Sequence, residues 1–109
     1  MKTYVVVFDP HAREEALEAA GYIARFSTPN AAKWFAGLEK AIESLSTMPA
    51  RCGQARESET LGLDLRQFIY HSHRIIFRIE EESGVVRVLH VRHAARQAIG
   101  ETEGQEEDT

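Results

Sequence analysis

Arginine and histidine side chains gather in the last third of this chain, and they are the residues best suited to chemistry. Arg66, Arg74 and Arg78 fall in strand-like runs, and guanidinium groups hold phosphate or carboxylate through paired donors. His71 and His73 bracket a tight turn, while His90 and His93 close the last run; imidazoles transfer protons near neutral pH or ligate zinc. Zinc, however, needs three or four ligands of defined geometry, and the only cysteine, Cys52, stands in a separate loop. The histidines therefore read as satisfied or solvated, and neither a metal nor a cofactor is expected. His90 with Arg96 supplies an acid and a cation for phosphodiester cleavage, but no nucleophile, tyrosine or carboxylate stands beside them in sequence. Cys52 has no paired base and reads as incidental, and there is no glycine-rich phosphate loop, Gly-x-Ser-x-Gly elbow or His-Glu-x-x-His pair.

Charge narrows the partners. The 109 residues carry a formal charge of -4, but the segment 100–109 alone holds five acids and no base. Without it, 13 bases face 12 acids, so the body is nearly neutral and lacks the broad cationic surface of a protein that binds chiefly to phosphate backbones. The acidic end reads as a disordered tail and residues 1–99 as one domain. A single cysteine excludes an intramolecular disulfide, so the small core relies on packing or on a partner. No apolar run approaches membrane-spanning length, and Met1 leads straight into the strand-like TYVVVF; a cytoplasmic, membrane-free protein is the expectation.

The elements that must position these groups are legible from caps and periodicity. Thr3 to Phe8 is a β-branched and aromatic run that reads as a strand. Asp9-Pro10 then opens a helix, since aspartate caps orphan amides and proline fits the first turn. Ala16, Leu17, Ala20, Ile23 and Ala24 make its apolar stripe to about Phe26. Ser27-Thr28-Pro29 repeats the start signal, and Ala31, Phe35, Leu38, Ile42 and Leu45 carry the stripe of a second helix that ends at Met48-Pro49. So short a link makes the helices an antiparallel hairpin, with Phe26, Trp34 and Phe35 expected in the core. A loop without apolar period runs to about Gly62. LDLRQFIY, HRIIFRIE and GVVRVLHV follow as three strands with short links, hence an antiparallel meander. In the middle run Ile75, Phe77 and Ile79 alternate with Arg74, Ile76 and Arg78, so the helices cover the first set and an open face carries the second. His93 to Ile99 is expected to add a short helix. The fold class is α+β: an N-terminal strand, a helical hairpin and a three-stranded antiparallel meander in one sheet of about four strands.

Taken in order, Tyr4 and Phe8, Tyr22-Ile23-Ala24, Ser27 to Ala32, Leu45 with Met48-Pro49, Leu65-Arg66, His73 to Ile79 and Val88 to His93 form a pattern that resembles the RelE/ParE superfamily of toxins from bacterial type II toxin-antitoxin modules. The resemblance spans about residues 3 to 99 and implies a helical hairpin on a small antiparallel sheet. It also implies one of two activities. RelE-like members cleave messenger RNA on the ribosome with basic residues and a C-terminal tyrosine or histidine, whereas ParE-like members poison DNA gyrase. Ala94 stands where the nucleases tend to carry an arginine and Gly100 where they tend to carry a tyrosine, so the ParE side is favoured: an inhibitor of gyrase rather than an enzyme, associated with plasmid stabilisation and growth arrest. Its implied partners are a cognate antitoxin and gyrase, with Arg74, Ile76 and Arg78 of the open face as candidate antitoxin contacts. The alternatives are a ribosome-dependent endoribonuclease acting on messenger RNA with Arg66, Arg74, His90, His93 and Arg96 as its site, and a non-toxic binding module of the same fold.

Overall fold

The computed structural model describes residues 2–95. Strand β1 (Val5–Phe8) leads into helix α1 (Pro10–Ala24), where the Asp9 side chain accepts from the His11 amide at 3.0 Å. Helix α2 (Thr28–Glu43) is capped the same way, Ser27 Oγ accepting from the Asn30 amide at 3.2 Å. Both caps fall where the residue types placed them. The second helix stops earlier than its stripe suggested, with a 3-10 turn at Ser44–Ser46 and a second at Pro49–Arg51 completing the passage through Met48-Pro49.

After a short helix α3 (Glu57–Leu61) come β2 (Arg66–Tyr70), β3 (His73–Glu80) and β4 (Val85–His93). These three form the expected antiparallel meander, and β1 adds to β4 in parallel to give the order β1-β4-β3-β2. The β2–β3 link is the two-residue turn His71-Ser72 with His71 at φ 51°, the left-handed backbone that such hairpins require. Gly84, at φ 68°, serves the turn into β4. Register places Ile76 opposite His90 and Phe77 opposite Val88, so Leu89 is an extra residue in β4 and bends that strand. Ala94 and Ala95 form a turn; the rest of the expected last helix, Arg96, Gly100 and the acidic tail lie outside the described residues.

The main core lies between the hairpin and the sheet. Leu38, Ile42 and Leu45 meet Ile75, Phe77, Val86, Val88 and Val91, and α1 joins through Ala12 and Ala16. The face of α1 seated on the sheet is thus made of alanines, while Leu17 turns outward at 52 % exposed and Phe26, just past the helix, is 75 % exposed. This corrects the expectation that both are core. Small residues let the helix axis approach β4, and Phe26 lies beyond the helix end, stacked edge-on against Tyr22 rather than inserted. Trp34 and Phe35 do pack on the core.

A second correction concerns the face opposite the helices. It is not open along its length, because the segment after Pro49 folds back across it. Ala55 and Leu65 pack on Ile76, with Leu89 partly buried beside them. Ile76 and Glu57 are fully buried, and Arg74, which faces Glu57, is nearly so. The long connection lacked an apolar period because it contributes only isolated apolar residues to a small second core.

Two local features carry testable consequences. A methyl group on Gly37 of α2 would run into the Tyr70 hydroxyl and lie 3.2 Å from Tyr70 Cζ. The ring is held by Trp34, whose carbonyl accepts from Tyr70 Oη at 2.8 Å. Alanine normally stabilises a helix interior by about 1 kcal/mol over glycine. Here Gly37→Ala is expected to destabilise instead, by about 1–2 kcal/mol, through overpacking. Chemical denaturation of Gly37→Ala in the wild-type and Tyr70→Phe backgrounds checks this, since removing the hydroxyl should shrink the loss.

The second feature is Glu80, which bonds Arg87 Nε at 2.9 Å and Arg78 Nε at 2.9 Å. These guanidinium groups, Arg87 foremost, hold its carboxyl down at about 2 against an ordinary value of 4.5. A depressed carboxylate contributes stability that is complete above the unfolded value and lost as pH falls through the folded one. Melting temperature should therefore carry a Glu80-dependent decline between about pH 4.5 and pH 2. The gap between wild type and Glu80→Gln should close over that window.

Candidate functional site

The residues singled out by type do not converge on one centre. Arg66, at the start of β2, turns into the loop, donating through Nη1 to the carbonyls of Cys52 at 2.6 Å and Ala50 at 3.3 Å. It ties the loop down. Cys52 itself is a buried free thiol in the core, its pKa pushed up by burial, which is the opposite of an activated nucleophile.

Arg74, on β3, is committed to Glu57 from α3. Nη1 reaches Oε1 at 2.9 Å and Nη2 reaches Oε2 at 2.7 Å, with Gln67 Oε1 also accepting from Nη1 at 3.0 Å. Arg92 is its buried cross-strand neighbour on β4. Beside Arg74 lies a groove of about 430 Å³ lined by Gln54, Arg56, Gln67, Ile69, Arg74 and Ala94. The groove has polar and cationic walls, while Ile69, on the edge strand β2, offers it an exposed apolar residue. A guanidinium with both terminal nitrogens bound to a buried carboxylate is not available to clamp a phosphate. Releasing it leaves a buried charge unpaired at a cost of about 3–5 kcal/mol. Arg78, on the same strand face, is bound to Glu80 and half exposed.

His93 lies at the end of β4, stacked edge-on against His73 at 5.2 Å, and His73 in turn lies edge-on to Trp34 at 5.1 Å. Burial, then the neighbouring His93, pushes the His73 pKa below its ordinary value, so the His73 ring favours its neutral form. With Tyr22, Ile23, His71 and Ser72 these residues line a cleft of about 380 Å³.

His90 has the partner that sequence proximity did not supply. The bend in β4 turns it toward α1, where Nδ1 lies 3.2 Å from Glu15 Oε1, and the Val91 amide donates to the same oxygen at 3.0 Å. Burial opposes ionisation of Glu15, but these bonds outweigh it and hold the pKa below the ordinary value. His11, one turn before Glu15, completes the group. Glu15 and His11 are separated from His90 by more than 70 residues, so only the fold reveals the cluster. The i,i+4 spacing of His11 and Glu15 at the start of a helix was the one signal available in sequence.

Among the described residues, no hydrogen bond or ion pair joins any two of Arg66, Arg74, His90 and His93. Arg66 and Arg74 are occupied by structural partners, His90 by Glu15, and His93 by a ring stack. Arg96 lies outside the described residues.

The chain matches the profile of the ParE toxin of type II toxin-antitoxin systems, parDE, over residues 6–98. A comparison with curated proteins finds no match. Among solved structures, the chain is similar to the chromosomal ParDE toxin-antitoxin system of Pseudomonas aeruginosa. There the TM-score is 0.68 at 15 % identity, with 84 % of this chain and 96 % of the other covered. The RelBE2 toxin-antitoxin complex of Mycobacterium tuberculosis aligns with TM-score 0.57 and 26 % identity over 88 % of this chain and 97 % of the other. An arginine-to-alanine double mutant of Escherichia coli RelE in the free state aligns with TM-score 0.51 and 20 % identity over 95 % of this chain and 88 % of the other. With the family profile matched across nearly all of its described length and the same helical hairpin on the same sheet, the chain belongs to the ParE toxins of type II toxin-antitoxin systems, within the RelE/ParE superfamily.

Proposed function

We propose that this ParE-type toxin arrests growth by binding DNA gyrase and is neutralised by a cognate antitoxin. The observation that carries the reading is the state of Arg74. A guanidinium that is to meet phosphate must have its donors free, and here both terminal nitrogens of Arg74 are bound to the buried carboxylate of Glu57. Ala94 adds to this, as it brings a methyl group to the groove where the nucleases tend to place an arginine. Inhibition by binding needs no such set.

We assign antitoxin contact to the groove beside Arg74. Gln54, Gln67 and the backbone of the edge strand β2 supply hydrogen bonds, Ile69 the apolar contact, and Arg78 a cation on the same face. Ile76 lies beneath this surface rather than on it, and acts by keeping the floor in place. An antitoxin segment that folds on contact would bury such a groove. Co-expression with the product of a neighbouring reading frame should relieve growth arrest and give a complex that copurifies. Ile69→Asp should weaken that complex while leaving the melting temperature nearly unchanged. If the product of neither neighbouring reading frame binds the chain or relieves arrest, the antitoxin assignment is contradicted.

A further inference from the structure

We propose that His11, Glu15 and His90 form a binding site for a divalent transition-metal ion, with zinc as the best match, clasping the start of α1 to β4. The three side chains each offer one donor atom, and these lie within 4.8 Å of one another. His11 Nε2 is 3.7 Å from Glu15 Oε2, and His90 Nδ1 is 3.2 Å from Glu15 Oε1. Donors around zinc at about 2.0–2.1 Å in tetrahedral geometry stand about 3.3 Å apart. One pair is therefore already at ligand spacing, and a small rotation of a side chain brings in the third.

The parts differ in rigidity in a way that suits capture. Glu15 and His90 are mostly buried, and Glu15 is oriented by the Val91 amide, an outer-shell hydrogen bond of the kind that fixes a ligand. His11 is 61 % exposed, so it can swing to admit the ion and close over it. Its ring already meets the His90 ring edge-on at 5.1 Å. Two imidazoles and one carboxylate, with a water in the fourth position, match the donor preference of zinc. They provide too few oxygen ligands for calcium or magnesium. The positive end of α1 opposes a cation, so the negative charge of Glu15 is needed to offset it.

The group would then tie the first helix to the part of β4 that β1 does not reach. β1 pairs with Val85 to Val88 only, leaving the next part of β4 to α1. A metal there adds a cross-link between segments about 75 residues apart.

The test is titration of untagged, full-length protein with zinc chloride, read by calorimetry and by thermal melting. One zinc per chain is expected to bind, and at about a hundred times Kd the ion raises the melting temperature by a shift worth about 2.7 kcal/mol. A chelator should reverse it. His11→Ala, which removes only the weak contacts of a mostly exposed residue, should change the metal-free melting temperature little and weaken zinc binding by about a hundredfold or more. His90→Gln should weaken it similarly. Absence of binding at about 100 μM zinc, far above the range of a built three-ligand site, overturns the proposal and leaves the cluster a hydrogen-bonded clasp. Undiminished binding in His11→Ala and His90→Gln also overturns it, placing the ion elsewhere, as at the His73 and His93 pair.

Discussion

Glu57→Ala is expected to lower stability by about 3–5 kcal/mol, because it leaves the Arg74 guanidinium buried without its counter-ion. Glu57 is fully buried and Arg74 nearly so, with paired bonds of 2.9 and 2.7 Å between them. The double change Glu57→Leu with Arg74→Met should recover most of the loss, since two apolar side chains of similar length leave no charge in need of a partner. Urea denaturation of wild type, Glu57→Leu, Arg74→Met and the double variant measures the pair as a cycle. Single losses below about 1 kcal/mol would show that the pair is solvated and that the groove floor is not fixed by it.

Phe77→Ala should be comparably damaging, at about 3–5 kcal/mol, and Phe26→Ala nearly silent. Phe77 is fully buried in β3 under the helical hairpin, while Phe26 is 75 % exposed beyond the end of α1. Removing the first ring opens a cavity that the sheet cannot close, whereas the second ring touches little besides Tyr22. Equal losses at the two positions, measured by denaturation, would mean that Phe26 is packed and that the stripe of α1 faces the sheet as its spacing implied.

That contrast marks what the residues alone could tell. Helix starts were legible because Asp9-Pro10 and Ser27-Thr28-Pro29 satisfy orphan amides locally, and both caps are present. The strands of the meander were legible because a two-fold alternation such as Ile75, Phe77 and Ile79 survives in the fold. Periodicity gives a stripe but not its seat on the sheet. On α1 the alanines sit inward and Leu17 outward, a choice made by how closely the helix approaches β4. The site was harder to read, since its partners are distant. Nothing near Arg74 announced Glu57, and nothing near His90 announced Glu15 and His11. Burial then reversed the meaning of Arg74 and Ile76, which alternation alone had placed on an open surface.

Whether the proposed action is binding to gyrase rather than cleavage of RNA is decided by exposing both targets to the purified protein. In a DNA supercoiling assay with gyrase, inhibition should rise with toxin concentration and vanish when the antitoxin is added. Arg66→Ala, His90→Ala, His93→Ala and Arg96→Ala should each leave most of it, because an interface spreads its energy over several contacts. In parallel, messenger RNA on translating ribosomes should remain intact. Codon-linked cleavage of that messenger, abolished by any one of these substitutions in a protein that still folds, together with undisturbed supercoiling, would contradict the account and make the chain a ribonuclease.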